Sequence, residues 1–353
     1  MDLLQLLWYA LETLVIGAYF VLDGFDLGSG VLYPFIAKGE QEKSIVRRTI
    51  GPIWDGNEVW LLTAGGALFA AFAPAYATTF SGFYLAIMLV LLSLIIRAVS
   101  VEYASVDPKW HTMWHAFFFV GSLLPALLFG VAVGCVVGGV PLNAAGDYTG
   151  IPLFGLINPF SLCCGLLSLA VMICQGCAWL ALKTPKDCPV QARAAKAHPI
   201  MIIISVVLFI LTGLLYFVAV NHVASVNPAL NTHGFAGLCQ WVFVILIVVG
   251  AVVALIATLA KARVWAFLGT SLVPLALAGL LGATLFPNFV ISTVDTATNT
   301  ISLASAAAGD GTLAAMTVIA CIGVPLVLIY HIIAYRIFRG RQVAENVNPG
   351  TQA

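Results

Sequence analysis

Charged residues are scarce in this sequence. Only 8% of its 353 residues are charged, 61% are hydrophobic, and the mean hydropathy is +1.05. This composition excludes an ordinary soluble domain and indicates a polytopic, all-α membrane protein. Its 15 basic and 15 acidic residues give a net charge of zero, so the sequence also lacks the basic excess typical of nucleic-acid-binding proteins.

The motifs of common redox and nucleotide sites are missing as well. The sequence has no CxxCH haem-attachment motif, no phosphate-binding loop, no dinucleotide fingerprint and no nucleophile elbow. Cys174 and Cys177 match a CxxC spacing, but they lie inside an apolar run, which favours core packing over redox chemistry. The residues alone therefore indicate no redox centre in this chain.

Secretion signals and a disulfide framework are absent too. The eight cysteines lie mostly in apolar runs, without the loop spacing of a secreted scaffold, so we predict small buried thiols and no structural disulfide. The first 20 residues contain neither a basic start nor a small-residue cleavage site. They therefore predict a retained first span, not a cleaved signal peptide.

Long apolar runs are what the sequence has in abundance. A membrane-spanning helix needs about 20 mainly apolar residues. Nine stretches meet this requirement: 5–36, 51–76, 79–106, 111–139, 158–183, 194–221, 236–261, 263–288 and 312–339. The second begins with acidic residues, so a count based on hydropathy alone could return eight.

The basic residues predict the orientation of these spans. With nine spans, all 15 Lys and Arg residues fall on one face of the membrane. Basic residues accumulate on the cytoplasmic side, so we expect an outer N-terminus and a cytoplasmic C-terminus. Removing one span would scatter the basic residues, which supports the doubtful second helix. The outer loops, including 289–311, are predicted to be surface segments with little charge.

Ionisable residues within the spans are functional candidates, because burying them in a bilayer is costly. Seven such residues stand out: Glu12, Asp23, Asp26, Asp55, Glu58, Arg97 and Glu102. At 100° per residue, the first three share one helix face, and all except Glu12 fall in the cytoplasmic half. They either pair with one another and fix helix packing, or they relay protons. For Arg97 and Glu102, a role in packing at a helix end is an equally good interpretation.

Other polar and small residues have plainer interpretations. Gly28, Gly65 and Gly66 have the helical spacing that lets helices approach closely, so close packing is expected. His111 and His115 are four residues apart at a predicted helix start. Without a third ligand nearby, a solvated pair is favoured over a metal site.

Several motifs together resemble subunit II of the cytochrome bd quinol oxidase family. They are DGFDLGSG (23–30), GPIWDGNEVWLLTAGGALFAAF (51–72), FSGFYLA (80–86), Arg97, GSLLPALLFGVA (121–132), NPF (158–160), QG (175–176) and LFP (285–287). The resemblance covers nearly the whole length, and WDGNEVWL is its most specific part.

The resemblance implies a haem-free membrane subunit of a complex that oxidises quinol and reduces oxygen to water in the bacterial cytoplasmic membrane. Haem b and haem d are expected in the partner, subunit I. The implied fold has two four-helix bundles and a peripheral helix. We expect the first bundle in 1–140, the second in 158–288, the peripheral helix at 312–339 and a cytoplasmic tail at 340–353. The resemblance leaves room for a bound quinone or lipid and for a small single-helix accessory subunit.

Site roles also follow from the resemblance. It implies that Asp23, Asp26, Asp55 and Glu58 form part of a proton-uptake path at the subunit interface, with Asp55 as the first candidate. Trp60 is the candidate wall of an oxygen route, and a plain packing role is equally compatible with it. Two alternatives stay open: a proton-coupled secondary transporter, and a scaffold that only stabilises subunit I.

Overall fold

The computed structural model describes residues 2–186, 188–224 and 235–341. These residues are mostly helical, so the predicted all-α membrane fold is confirmed. The helices are α1 (Leu3–Leu22), α2 (Gly24–Ile36), α3 (Gly39–Ile50), α4 (Trp54–Ala71), α5 (Ala73–Gly82), α6 (Tyr84–Tyr103), α7 (His111–Gly138), α8 (Pro159–Lys183), α9 (Pro189–Ala224), α10 (Phe235–Leu259), α11 (Arg263–Leu285), α12 (Thr296–Asn299), α13 (Leu303–Ala306) and α14 (Asp310–Ile337).

Short elements complete the fold at the helix ends. Two 3-10 helices, Pro108–Trp110 and Phe154–Leu156, precede α7 and α8. The segment 289–311, predicted as a surface loop, contains regular structure. It includes the short helices α12 and α13, and the strands β1 (Asn288–Val290) and β2 (Ile301–Ser302) pair antiparallel there. The predicted tail at 340–353 and the connection between the predicted spans 194–221 and 236–261 lie largely outside the described residues.

One end of the helix assembly carries the basic residues, and we call it the basic end. There, Lys183 Nζ donates to the Phe338 carbonyl at 2.6 Å, which joins the ends of α8 and α14. Arg193 pairs with Glu42 at 2.7 Å, which joins the start of α9 to α3. At the opposite end, Trp8 Nε1 donates to the Leu313 carbonyl at 3.1 Å and joins the starts of α1 and α14.

The helix α4 runs from the basic end to the opposite end. Eight spans of the described chain are long and apolar enough to cross a membrane, and α4 is not among them. At its start, however, Trp54 Nε1 donates to Glu102 Oε1 at 3.4 Å near the end of α6. At its other end, the Ala308 amide donates to the Ala71 carbonyl at 2.8 Å. Its contacts therefore support a ninth crossing that its polar start conceals from a hydropathy count.

The predicted boundaries around α4 are wrong. The predicted second span, 51–76, and third span, 79–106, take in most of residues 73–82, but these residues form the separate helix α5. Pro74 explains the break, because in a continuous helix it would lack the amide hydrogen for the bond to the preceding turn and its ring would crowd that turn. In the first turn of α5, after the non-helical Phe72, the missing hydrogen is tolerated. The first predicted span is likewise divided at Asp23 into α1 and α2.

The helix α8 lies at the centre of the assembly and α14 at its periphery. Most of α8 is buried, whereas hardly any of α14 is. A methyl group at Gly28 of α2 would overlap the Met172 carbonyl of α8, so these helices touch through their backbones. Because α2 packs on both α7 and α8, the two halves of the chain share a continuous core. The bundle boundaries within 1–140 and 158–288 stay a prediction.

Candidate functional site

Five polar residues meet inside the protein. They come from α1–α2, α4 and α6, and we call them the carboxylate cluster: Asp23, Asp26, Asn57, Glu58 and Arg97. Arg97 is 1% exposed and Asp23 and Asp26 are fully buried. The Arg97 side chain therefore points into the protein, which favours pairing with a carboxylate over packing at the helix end.

Arg97 binds two of the three carboxylates. Its Nη1 donates to Asp23 Oδ1 at 2.8 Å and its Nη2 to Glu58 Oε2 at 3.2 Å. Asp23 Oδ2 also accepts from the Tyr19 hydroxyl at 2.9 Å. Such charge-assisted bonds stabilise a buried pair, but a single guanidinium cannot balance three ionised carboxylates. The cluster therefore has the capacity to hold protons.

Asp26 is the member with an unused acceptor. Its Oδ2 accepts from Asn57 Nδ2 at 2.8 Å, and Asn57 Oδ1 accepts from the Tyr335 hydroxyl at 2.9 Å. Asp26 Oδ1 is buried and has no hydrogen-bond partner among the described residues. A proton can bind this oxygen without breaking an existing bond. Arg97 Nε is another buried atom without a partner in the described part of the chain.

The remaining predicted residues lie outside the cluster. Asp55 is exposed on the surface of α4, three residues before Glu58. Glu102 is also exposed, and its side chain accepts a hydrogen bond from Trp54 and not from Arg97. Glu12 is buried near the opposite end, and its Oε2 has no partner within the described chain.

Trp60 lies between α4 and α14. Its side chain is 9% exposed, and its Nε1 donates to His331 Nε2 at 3.2 Å. His331 Nδ1 is 2.9 Å from the Val327 carbonyl, so Nδ1 carries the hydrogen and Nε2 accepts. Trp60 therefore packs against the C-terminal part of α14.

A second polar network lies at the basic end, and we call it the α3 network: Tyr33, Glu40, Arg47 and His115. His115 is 9% exposed, so the predicted solvated pair with His111 is wrong for this residue. Burial raises the pKa of Glu40, but the hydrogen bond and positive charge of His115, together with Lys43, outweigh it. The pKa of Glu40 therefore lies below its usual range.

Sequence reasoning missed several of these partners. Tyr19 lies four residues before Asp23 on one helix face, so its spacing could have identified it. Tyr335 and His331 reach α4 from about 280 residues away in sequence, and no local pattern indicates such contacts. His115 was noticed only as a metal-ligand candidate, because its partners Tyr33 and Glu40 come from other helices.

The second half of the chain holds a polar contact and a cavity. His198 is buried between Thr258 and Thr270, at 2.8 and 3.0 Å from their hydroxyl oxygens. Beside Thr270, an apolar cavity of about 250 Å³ lies among α8, α9, α10 and α11. The hydroxyl of Ser205 lines this cavity and is buried without a partner in the described chain.

Comparisons with known proteins agree over nearly the whole chain. A family model described as cytochrome bd terminal oxidase subunit II matches residues 4–338. The chain is 33% identical to cytochrome bd-I ubiquinol oxidase subunit 2 of Escherichia coli K12, covering 100% of this chain and 98% of that protein. It is 34% identical to cytochrome bd ubiquinol oxidase subunit 2 of Bacillus subtilis, covering 95% and 96% respectively.

Two further matches agree with these. The chain is 34% identical to a probable cytochrome oxidase subunit 2 of Haemophilus influenzae, over 96% of this chain and 95% of that protein. Its fold matches a chain of the bd oxidase structure from Geobacillus thermodenitrificans with a TM-score of 0.77. That match covers 96% of this chain and 99% of the other at 16% identity, and so speaks for the fold alone.

Proposed function

Because the chain belongs to the cytochrome bd terminal oxidase subunit II family, we propose that its carboxylate cluster contributes to proton uptake for oxygen reduction. Family membership makes the chain a subunit of a terminal oxidase complex with a subunit I partner, and favours this role over a secondary transporter. The observation that carries the proposal is the buried Asp26 oxygen with no partner in the described chain, beside a charge cluster with too few cations.

In this proposal, haem b and haem d belong to subunit I and this chain binds no haem. No group of three or more His, Cys, Asp or Glu side chains in the described residues is arranged to hold a metal ion. This chain's own residues would bind and pass protons, while the haems supply the oxygen chemistry.

The direction of proton uptake follows from the basic end. All 15 Lys and Arg residues belong to elements that meet there or, for Arg97, to the adjoining part of α6. By the positive-inside rule, the basic end faces the cytoplasm. The cluster then lies in the cytoplasmic half, with the N-terminus outside and the C-terminus inside. Protons for water formation would come from the cytoplasm.

The exposed face of α4 is our candidate contact with subunit I. Its exposed residues are three or four positions apart, as expected for one helix face: Asp55, Val59, Leu62, Gly66 and Phe69. An added Cβ at Gly66 would meet no atom within 4 Å among the described residues. Small residues at such open positions suit close packing by another helix. Asp55 would then lie at the edge of the subunit interface, one helical turn from Glu58.

Two ligand roles belong to the same proposal. Trp60 would form part of an apolar oxygen route, which its burial beside α14 supports. A lipid or quinone chain would occupy the 250 Å³ cavity, where the Ser205 hydroxyl could bond a polar group of the ligand. Replacing Trp60 with Phe or Leu should change the apparent oxygen affinity of the complex. Unchanged oxygen kinetics in both variants would remove Trp60 from the route.

Asp55→Asn provides the direct test of proton uptake. Asn is nearly isosteric with Asp but cannot ionise, so quinol-driven oxygen consumption should fall by about tenfold, a modest loss for a positioned proton carrier. The haem d spectrum of the purified complex should stay intact. Glu102→Gln is the matched control, because Glu102 is an exposed acid at the same end but belongs to α6 and contacts Trp54, whereas Asp55 lies one helical turn from Glu58 of the cluster. Loss of the haem signal, or an equal effect in both variants, would instead indicate an assembly role.

A further inference from the structure

The α3 network forms a continuous hydrogen-bonded chain from the protein surface to the interior. The Glu40 side chain is 52% exposed, and its Oε1 lies 2.9 Å from His115 Nε2. On the other side of the ring, His115 Nδ1 lies 2.9 Å from the Tyr33 hydroxyl. Tyr33 is 1% exposed, so three residues connect solvent at the basic end with a buried hydroxyl.

Counting donors and acceptors fixes the direction of these bonds. The Tyr33 oxygen accepts from Arg47 Nη1, so its own hydrogen is available for His115 Nδ1. His115 Nε2 then carries the ring hydrogen and donates it to Glu40. The opposite tautomer would leave the buried Tyr33 hydrogen without a partner in the network. Every group in the line Glu40, His115 and Tyr33 can both bind and release a proton.

Two unused polar atoms continue this line along α2. Asp26, Ser29 and Tyr33 are spaced three and four residues apart, so they lie near one another on the same helix face. Ser29 Oγ and Asp26 Oδ1 are fully buried and have no partner in the part of the chain that the structure describes. Buried water is typically held by polar atoms of this kind.

We propose that a second proton path runs through the interior of this subunit, from Glu40 through His115 and Tyr33 to Asp26, with water held at Ser29. This inference rests on the proposed function, since it supplies the same cluster. It differs in its route, because Asp55 lies on the exposed face of α4 and the α3 network lies between α2, α3 and α7.

The proton steps balance along this chain. Before transfer, His115 Nδ1 carries the ring hydrogen and the Tyr33 hydroxyl points inward. A proton on Glu40 moves to Nε2, the Nδ1 proton moves to Tyr33, and the Tyr33 proton passes through water to Asp26. One proton is taken up and one is delivered. After transfer, His115 Nε2 carries the ring hydrogen and the Tyr33 hydroxyl donates to Nδ1, as in the assigned hydrogen-bond directions. Rotation of the Tyr33 hydroxyl and a change of His115 tautomer then restore the starting state.

Tyr33→Phe tests the path in the purified complex with subunit I, reconstituted in phospholipid vesicles. The variant keeps the ring but removes the relay hydroxyl. A pH dye on the basic side measures proton uptake during quinol-driven oxygen reduction. We expect uptake to slow several-fold in Tyr33→Phe and Glu40→Gln, and more in the double variant Tyr33→Phe/Asp55→Asn, which closes both paths. The solvent deuterium isotope effect should rise in each slowed variant, while the haem d spectrum should stay intact.

Glu42→Gln is the matched control, because Glu42 also anchors α3 but lies outside the proposed path. Its two oxygens accept from Arg193 Nη2 at 2.7 Å, and Oε2 also accepts from the Lys38 amide at 2.6 Å. Equal slowing in Glu42→Gln and Glu40→Gln would overturn the path, since helix anchoring would explain both. Unchanged uptake in Tyr33→Phe, with slowing in Asp26→Asn, would overturn this path and leave the proposed function standing. Unchanged uptake in Asp26→Asn and Asp55→Asn would overturn the proposed function itself.

Discussion

Arg97 is the residue on which the buried acids depend for charge balance. Its guanidinium bonds Asp23 at 2.8 Å and Glu58 at 3.2 Å, and only 1% of its side chain is exposed. A carboxylate buried without a partner is far more costly than the same group in water. Arg97 on α6 therefore holds together acids from α1–α2 and α4 that would otherwise repel one another.

Replacing Arg97 with Gln should destabilise the subunit by about 3–5 kcal/mol, the range for removing one partner of a buried ion pair. The reason is the uncompensated charge left on Asp23, so the double variant Arg97→Gln/Asp23→Asn should recover part of the loss. The measurement is thermal unfolding of the purified complex, followed through its haem spectrum. A double variant no more stable than Arg97→Gln would contradict this electrostatic account.

The cluster residues show how far sequence reasoning reaches at this scale. The cost of placing acids in apolar runs marks Asp23, Asp26 and Glu58 as unusual without any structure. Which of them bonds Arg97, and which keeps a free oxygen, depends on side-chain geometry across three helices. Asp55 illustrates the limit, since it has the same spacing pattern as the buried acids but lies on an exposed face. Its role as first proton carrier stays a prediction.

Helix contacts separate glycines that look alike in sequence. Gly28 and Gly66 both lie in small-residue motifs, and close packing was expected for each. A methyl group at Gly28 would overlap the Met172 carbonyl, whereas one at Gly66 would meet no described atom within 4 Å. Close packing inside this chain is therefore right for Gly28 and wrong for Gly66. Sequence spacing cannot distinguish a helix neighbour in the same chain from one in a partner.

Gly28→Ala should reduce the yield and thermal stability of the folded subunit, since overpacking a tight contact costs about 1–3 kcal/mol or more. Gly66→Leu should leave this chain folded but weaken its association with subunit I. Gly323→Leu on α14 is the control, because its Cβ would also meet no described atom within 4 Å. Copurification of the haem-bearing partner measures the effect. Equal recovery in the Gly66 and Gly323 variants would argue against an interface on α4.

The attachment of α3 should depend on pH through Glu40. Because the folded state lowers the pKa of Glu40, its contribution is present above the ordinary Glu value of about 4.3 and is lost as pH falls through the lowered value. Spin labels on α3 and α7 should therefore report detachment of α3 only when pH falls below the ordinary Glu value. Glu40→Gln should remove this transition. A transition unchanged in that variant would contradict the assignment to Glu40.

At the scale of the whole molecule, charge and hydropathy contribute different parts of the fold. Hydropathy detects eight spans and omits α4, whose acidic start lowers its score. With a ninth crossing all 15 basic residues fall on one face of the membrane, and the contacts at both ends of α4 support that crossing. Helix boundaries near Pro74 and contacts such as Trp60–His331 could not be predicted, because they depend on local backbone geometry and distant partners.

The crossing by α4 and the orientation of the chain can be tested together. Gln41 on α3 and Ala77 on α5 are exposed and lie on either side of α4. The test introduces Gln41→Cys and Ala77→Cys, one at a time, into a variant in which the eight native cysteines are replaced. A membrane-impermeant maleimide should label Gln41→Cys only in inside-out vesicles and Ala77→Cys only in right-side-out vesicles, because basic residues stay in the cytoplasm. Labelling of both from one side would refute the α4 crossing, and the reverse pattern would invert the orientation and place the carboxylate cluster near the outer face.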